Sequence, residues 1–263
     1  MFLMIEEFDY SEIPHLQEIL EYMPIFTNDE EEVVAYIQNI SNVIAINYKY
    51  EQYQFAYMGV HLLYMIYIYC CIWKISKINP QRYSDAIIFA RPYSGREKNI
   101  DLDNIGSIFD FSLMPEKEFA KVFKIIGLDK SQIAAVGGLV DKRNEMAHAS
   151  GKFEILTEDS FSNGVNSVIN SIKNIHNRMY KQIRTWFTRL LSTYCDNKLS
   201  EYDKVEDIIN EQMVQTFKLS INELLICKEM SPNFLIKKFP QSKDKLKDFK
   251  NGISLYCENL GYF

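Results

Sequence analysis

Phe161, Val165, Val168, Ile172, Ile175, Met179, Ile183, Trp186 and Leu190 recur three or four residues apart. At about 100° per residue they fall in one sector of a helix. Lys173, Arg178, Lys181, Arg184 and Arg189 fall in the opposite sector, and no Asp or Glu occurs between Ser160 and Cys195. The pattern predicts a long helix with one greasy and one basic face, opened by Thr157 with Glu158 and Asp159 behind it. Trp186 lies in the apolar sector and is expected to pack, as is His176 at its edge.

The same periodicity predicts helices elsewhere. HLQEILEYM and EEEVVAYIQNISNVIAI read as two, the second opened by Asn28 and Asp29. An aromatic helix runs from about Tyr50 to Lys77, where Asn79-Pro80 stops it. Pro92, Gly95 and Gly106 mark an irregular connection between Arg91 and Asp110. Pro115 suits a first helical position, and Phe119, Val122, Phe123 and Ile126 then repeat until Gly127 caps the helix. Asp129 and Gln132 fit a capping box, with Ile133, Val136, Leu139 and Val140 as the stripe and Gly151 as the stop. Gly137 and Gly138 inside that helix suggest close approach by another backbone, or a kink. After Asp196-Asn197, one helix is expected from about Asp203 to Met230, followed by a Lys-rich tail. With no alternating strand or repeat, the fold class is all-α, a helical bundle.

Composition narrows the function. Acids outnumber Lys plus Arg 35 to 29, for a net charge of -6, so any polyanion must be held by a local patch. Of the basic face, Lys173, Lys181 and Arg184 are the candidate RNA contacts, with Tyr180 able to stack a base; the bland alternative is a solvated surface. The five cysteines lack Cys-x-x-Cys spacing and lie among apolar residues, as reduced thiols of a cytoplasmic protein do. The acids of MFLMIEEFDY argue against a signal peptide. Gln52 to Trp73 carries no charge and is long enough to span a bilayer, but its many tyrosines and His61 point to a buried central helix. His61, set among Gly59, Val60, Leu62 and Leu63, reads as a hydrogen-bonded core histidine.

The sequence has no Gly-rich phosphate loop, His-Glu-x-x-His, Gly-x-Ser-x-Gly or carboxylate cluster at metal-ligand spacing, so neither metal nor cofactor is expected. What remains is VDKRNEMAHASG, Val140 to Gly151, at a helix end. RNA cleavage suits this kit because the substrate brings its own nucleophile, the 2'-hydroxyl. His148 can move the protons, and Arg143 can clamp the phosphate and stabilise its added charge. Residues five apart point about 140° away from each other on an ideal helix, so Asn144, four from His148, is the better placed to orient the imidazole. The bland alternative is a helix end whose cations complement the dipole.

Arg143-Asn144-Glu145-Met146-Ala147-His148 resembles the signature of the HEPN (higher eukaryotes and prokaryotes nucleotide-binding) family, an Arg followed four to six residues later by His, often with a polar residue after the Arg. The resemblance covers about residues 47 to 195. It implies an HEPN-like helical core there; the N-terminal helical segment, 1–46, and the C-terminal helical extension, 196–263, are read from periodicity and have no assignment from it. It also implies a homodimer with paired motifs at its interface and metal-independent endoribonuclease activity, commonly in toxin-antitoxin or antiviral defence systems. An unrestrained ribonuclease is toxic, so an antitoxin or regulatory partner is expected with it. The alternatives are a non-catalytic helical dimerisation module or regulator and, on residues 52–73 alone, a membrane-associated protein.

Overall fold

A computed structural model describes residues 10–25, 31–88, 105–147 and 156–262. Among them every regular element is helical, and the one β feature is an isolated bridge between Pro24 and Ser220. The fold is all-α. The chain divides into two compact units, the larger containing described residues 10–20 and 31–178, the smaller 21–25 and 179–262.

The larger unit holds α1 (Leu16–Glu21) as far as Leu20, α2 (Glu31–Lys49), α3 (Tyr53–Ile78), α4 (Pro80–Ile87), α5 (Glu116–Val122), α6 (Lys130–Ala147) and the first part of α7 (Glu158–Cys195). α3 is its centre. This helix is long and apolar enough to cross a membrane, yet 83% of its most apolar window is buried inside the protein. Its tyrosines find polar partners there: the Tyr64 hydroxyl bonds Ser171 Oγ at 2.8 Å, and Tyr67 donates to the Ile172 carbonyl at 3.1 Å. α2 and α3 form a close hairpin, because Gly59 has no Cβ to meet Ile44.

Pro80 ends α3 and also opens α4, a helix the periodicity did not predict. Pro115 stands just before α5 rather than inside it. Past α5 the chain tightens into a 3-10 turn, Phe123–Ile126, and Gly127 closes it at φ +88°. The expected capping box opens α6, Gln132 N–H donating to Asp129 Oδ1 at 2.8 Å and Asp129 N–H to Gln132 Oε1 at 3.1 Å. The openings proposed at Asn28, Asp29 and Gly151, and the connection from Arg91 to residue 104, lie outside the described residues.

Gly137 and Gly138 correct the sequence reading. A Cβ built on either meets nothing within 4 Å, so no backbone approaches closely, and α6 runs continuously through both. Gly138→Ala is therefore expected to stabilise the protein by about 1 kcal/mol, the helix propensity difference, read as a rise in the urea unfolding midpoint.

In the smaller unit the single helix expected from Asp203 to Met230 is two. α8 (Val205–Ile208) widens into a π-helical stretch, Ile209–Thr216, and the chain then turns with Lys218 at φ +60°. Ser220 restarts it as α9 (Ile221–Glu229) through a capping box, Ser220 N–H donating to Glu223 Oε2 at 2.9 Å. Trp186 does pack, its ring lying flat on Phe217 at 3.7 Å. The Lys-rich segment is no mere solubilising tail: it forms α10 (Asn233–Lys238) and α11 (Lys243–Asn259), and α11 buries Leu246, Phe249, Ile253 and Cys257.

Candidate active site

Arg143 sits near the end of α6, Glu116 opens α5 and His61 lies in the first half of α3. Packing of these helices brings the three together. Arg143 Nη2 donates to Glu116 Oε2, and the same oxygen accepts from His61 Nε2 at 3.3 Å. Exposure is graded outward, from 0% at His61 through 18% at Glu116 to 26% at Arg143. The result is a partly open guanidinium held from behind by an acid and a buried imidazole.

Burial alone would raise the Glu116 carboxyl. The hydrogen bond from His61, with the charges of His61 and Arg143, outweighs it and holds the group below its ordinary value. An ionised carboxylate only accepts, so His61 Nε2 carries the proton of this hydrogen bond.

Four buried polar atoms have no hydrogen-bond partner among the described residues: Gln54 Oε1, Tyr57 OH, His61 Nδ1 and Arg143 Nε. The first three side chains are three and four apart on one stripe of α3. Lys142 Nζ lies 4.9 Å from the Tyr57 ring centroid, and burial pushes the Tyr57 hydroxyl up to about 12. Each such orphan costs about 1–3 kcal/mol. Two of them, His61 Nδ1 and Arg143 Nε, belong to the cluster that Glu116 ties together, and unmet polar atoms there mark a candidate functional site.

Of the proposed catalytic residues, Arg143 and Asn144 occupy the last turns of α6. Asn144 is half-buried and makes no side-chain hydrogen bond among the described residues. His148 follows α6 and lies outside the described residues. Of the proposed RNA contacts, Lys173 belongs to the larger unit and is ion-paired with Glu18 at 2.6 Å, which lowers the Glu18 carboxyl. Lys181 and Arg184 belong to the smaller unit and are exposed; Arg184 lies over the Tyr180 ring and donates to its hydroxyl at 2.6 Å. That bond occupies both Arg184 and the ring proposed to stack a base, and the Glu18 pair leaves Lys173 the weakest of the three candidates.

Sequence reasoning missed Glu116 and did not join His61 to Arg143. Glu116 gave no signal beyond an acid in a first helical turn, 27 residues from Arg143. The α3 stripe did carry one, since Gln54, Tyr57 and His61 are polar groups at helical spacing in an otherwise apolar run.

Chemically, a guanidinium has five N–H donors, and Glu116 supplies one oxygen to them. The site therefore has donors in excess of acceptors, and an anionic oxygen is the group that would balance it. No family model matches this chain, and neither does any curated protein or solved structure.

Proposed function

We propose that the chain is a metal-independent endoribonuclease of the HEPN kind, acting as a homodimer in a toxin or antiviral defence system. The observation that carries the reading is the guanidinium of Arg143, the first residue of the Arg-x4-His motif, anchored by Glu116, which His61 holds in turn, yet with its buried Nε unpartnered among the described residues. Arg143 clamps the scissile phosphate and stabilises its added charge, while Asn144 orients His148. The 2'-oxygen attacks phosphorus as its proton leaves to a base. The bond to the 5'-oxygen breaks as that oxygen takes a proton from an acid, leaving a 2',3'-cyclic phosphate. His148 serves as the acid or the base, the paired motif supplying the other.

The test is cleavage of mixed RNA by the full chain in EDTA, with end groups identified. Wild type is expected to release cyclic-phosphate ends, and His148→Ala to lose about 10³-fold in rate. An inert wild type would overturn the reading in favour of a non-catalytic interaction module, and an undiminished His148→Ala would remove its acid or base.

A further inference from the structure

From Lys237 to Lys250, six lysines and two aspartates leave a local charge of +4 in a chain whose net charge is -6. The segment forms the end of α10 and the first half of α11. Lys243, Lys247 and Lys250 are four and three residues apart, so they make one row about 10 Å long on one side of α11. Lys243 and Lys247 are exposed and Lys250 is half-buried. None of the three forms an ion pair among the described residues, and Asp244 and Asp248 stand on a different stripe of the helix. Lys245 points elsewhere, donating to Asn197 Oδ1 and lying over the Tyr194 ring. Like charges at these spacings destabilise a helix, and cations in its first turns oppose its dipole. The row is unfavourable for folding, and a bound anion would relieve it. On α10, Phe234, Lys237 and Lys238 share the face opposite buried Leu235. Phe234 is 61% exposed, and Lys237 is exposed with no ion pair among the described residues. A 3-10 turn, Pro240–Ser242, joins α10 to α11, so Phe234 and Lys237 lie on the segment that leads directly into the row.

We propose that Phe234, Lys237, Lys243, Lys247 and Lys250 bind single-stranded RNA, the lysines neutralising phosphates and Phe234 stacking on one base. A row of ammonium groups suits a polymer of like charges better than a single anion, because each added phosphate contact releases further counterions. An exposed ring beside the row suits a base that is free of its stack, which the inside of a duplex does not offer. An acidic membrane surface fits less well. The apolar face of α11, made of Leu246, Phe249, Ile253 and Cys257, is buried within the protein and is not available to enter a bilayer. The face belongs to the smaller unit and Arg143 to the larger. Capture of a single strand therefore stands apart from the reading of the Arg143 site, whereas the choice of RNA over DNA rests on it.

Fluorescence anisotropy of a labelled 2'-O-methyl oligouridylate of about 12 nucleotides, titrated with the full chain, tests it. That strand has no free 2'-hydroxyl, so binding is read without cleavage. With about four phosphate contacts, log affinity should fall against log salt with a slope of about -3 for the wild type. Changing Lys243, Lys247 and Lys250 together to Gln should bring the slope to about -1 and weaken binding at about 50 mM salt by about 10²-fold. Phe234→Ala should weaken binding at least about fivefold and leave the slope unchanged. The three lysine changes should also raise the urea unfolding midpoint, because they relieve repulsion; lysines kept for the fold would lower it. Changing Lys49, Lys124 and Lys130, exposed lysines of the larger unit, removes the same charge and should alter binding by less than about twofold. A wild type that binds nothing at about 100 μM, the weak end of non-specific binding, would overturn the proposal. So would a slope the triple variant does not change, a duplex bound as tightly as the single strand, or uptake by phosphatidylserine vesicles in place of RNA. Preference for a deoxy strand would overturn the choice of RNA. Binding with these dependences by a chain that cleaves nothing would support this face and count only against the Arg143 reading.

Discussion

Arg143→Ala is expected to lower metal-free RNA cleavage by about 10²–10³-fold, the usual loss when one preorganised charge donor is removed. It should also lower the unfolding free energy by about 2–3 kcal/mol, because Glu116, 18% exposed, keeps its charge and loses its cation. Glu116→Gln separates the two effects. It keeps the shape and an acceptor for His61 but releases Arg143, so activity should fall by about tenfold. The double variant should cleave no worse than Arg143→Ala alone and be more stable than it, since the unpaired carboxylate is gone. Independent, multiplicative losses of activity would show that Glu116 does not act through Arg143. The wild-type pairing has a pH signature of definite sign. A carboxyl depressed in the fold contributes stability that is full above the ordinary Glu range and is lost as pH falls through the depressed value. Arg143→Ala should therefore weaken the acid dependence of the unfolding midpoint.

The helical class and most helix positions were legible because apolar spacing near 3.6 is a local property. The α7 stripe from Phe161 to Ile183 is buried as its periodicity requires, and the Asp129–Gln132 box opens α6 where its side chains say it should. What failed was non-local or depended on one residue acting against a continuing pattern. Ile208 through Leu224 keeps helical spacing, yet a π-helical stretch and the Ser220 cap split it, a boundary the Ser-x-x-Glu signature could have marked. Lys173 looked free because its partner Glu18 lies far away in sequence. The site was half legible: Arg143 and Asn144 carry a motif, whereas Glu116 joins them only through the packing of α5 against α6, which no spacing along one helix encodes.

Gly164→Val is expected to destabilise the protein by about 3 kcal/mol, although valine is the better helix former of the two. Environment decides the sign. A Cβ at Gly164 would lie 2.6 Å from Tyr57 Cε2 and 3.0 Å from Lys142 Nζ. The lysine end can swing away, but the Tyr57 ring is fully buried and cannot. At Gly138, where the same atom meets nothing, adding it should stabilise instead. Because Tyr57 and Lys142 border Arg143, Gly164→Val should also reduce RNA cleavage without altering any charge, whereas Gly138→Ala should leave cleavage unchanged. Tyr57→Ala combined with Gly164→Val should be less destabilised than the two single losses together, since one removes the atoms the other strikes. Urea unfolding of the four chains measures this. Strict additivity would show that the ring is not what Gly164 accommodates, and that α7 and α3 meet here with more room than their geometry indicates.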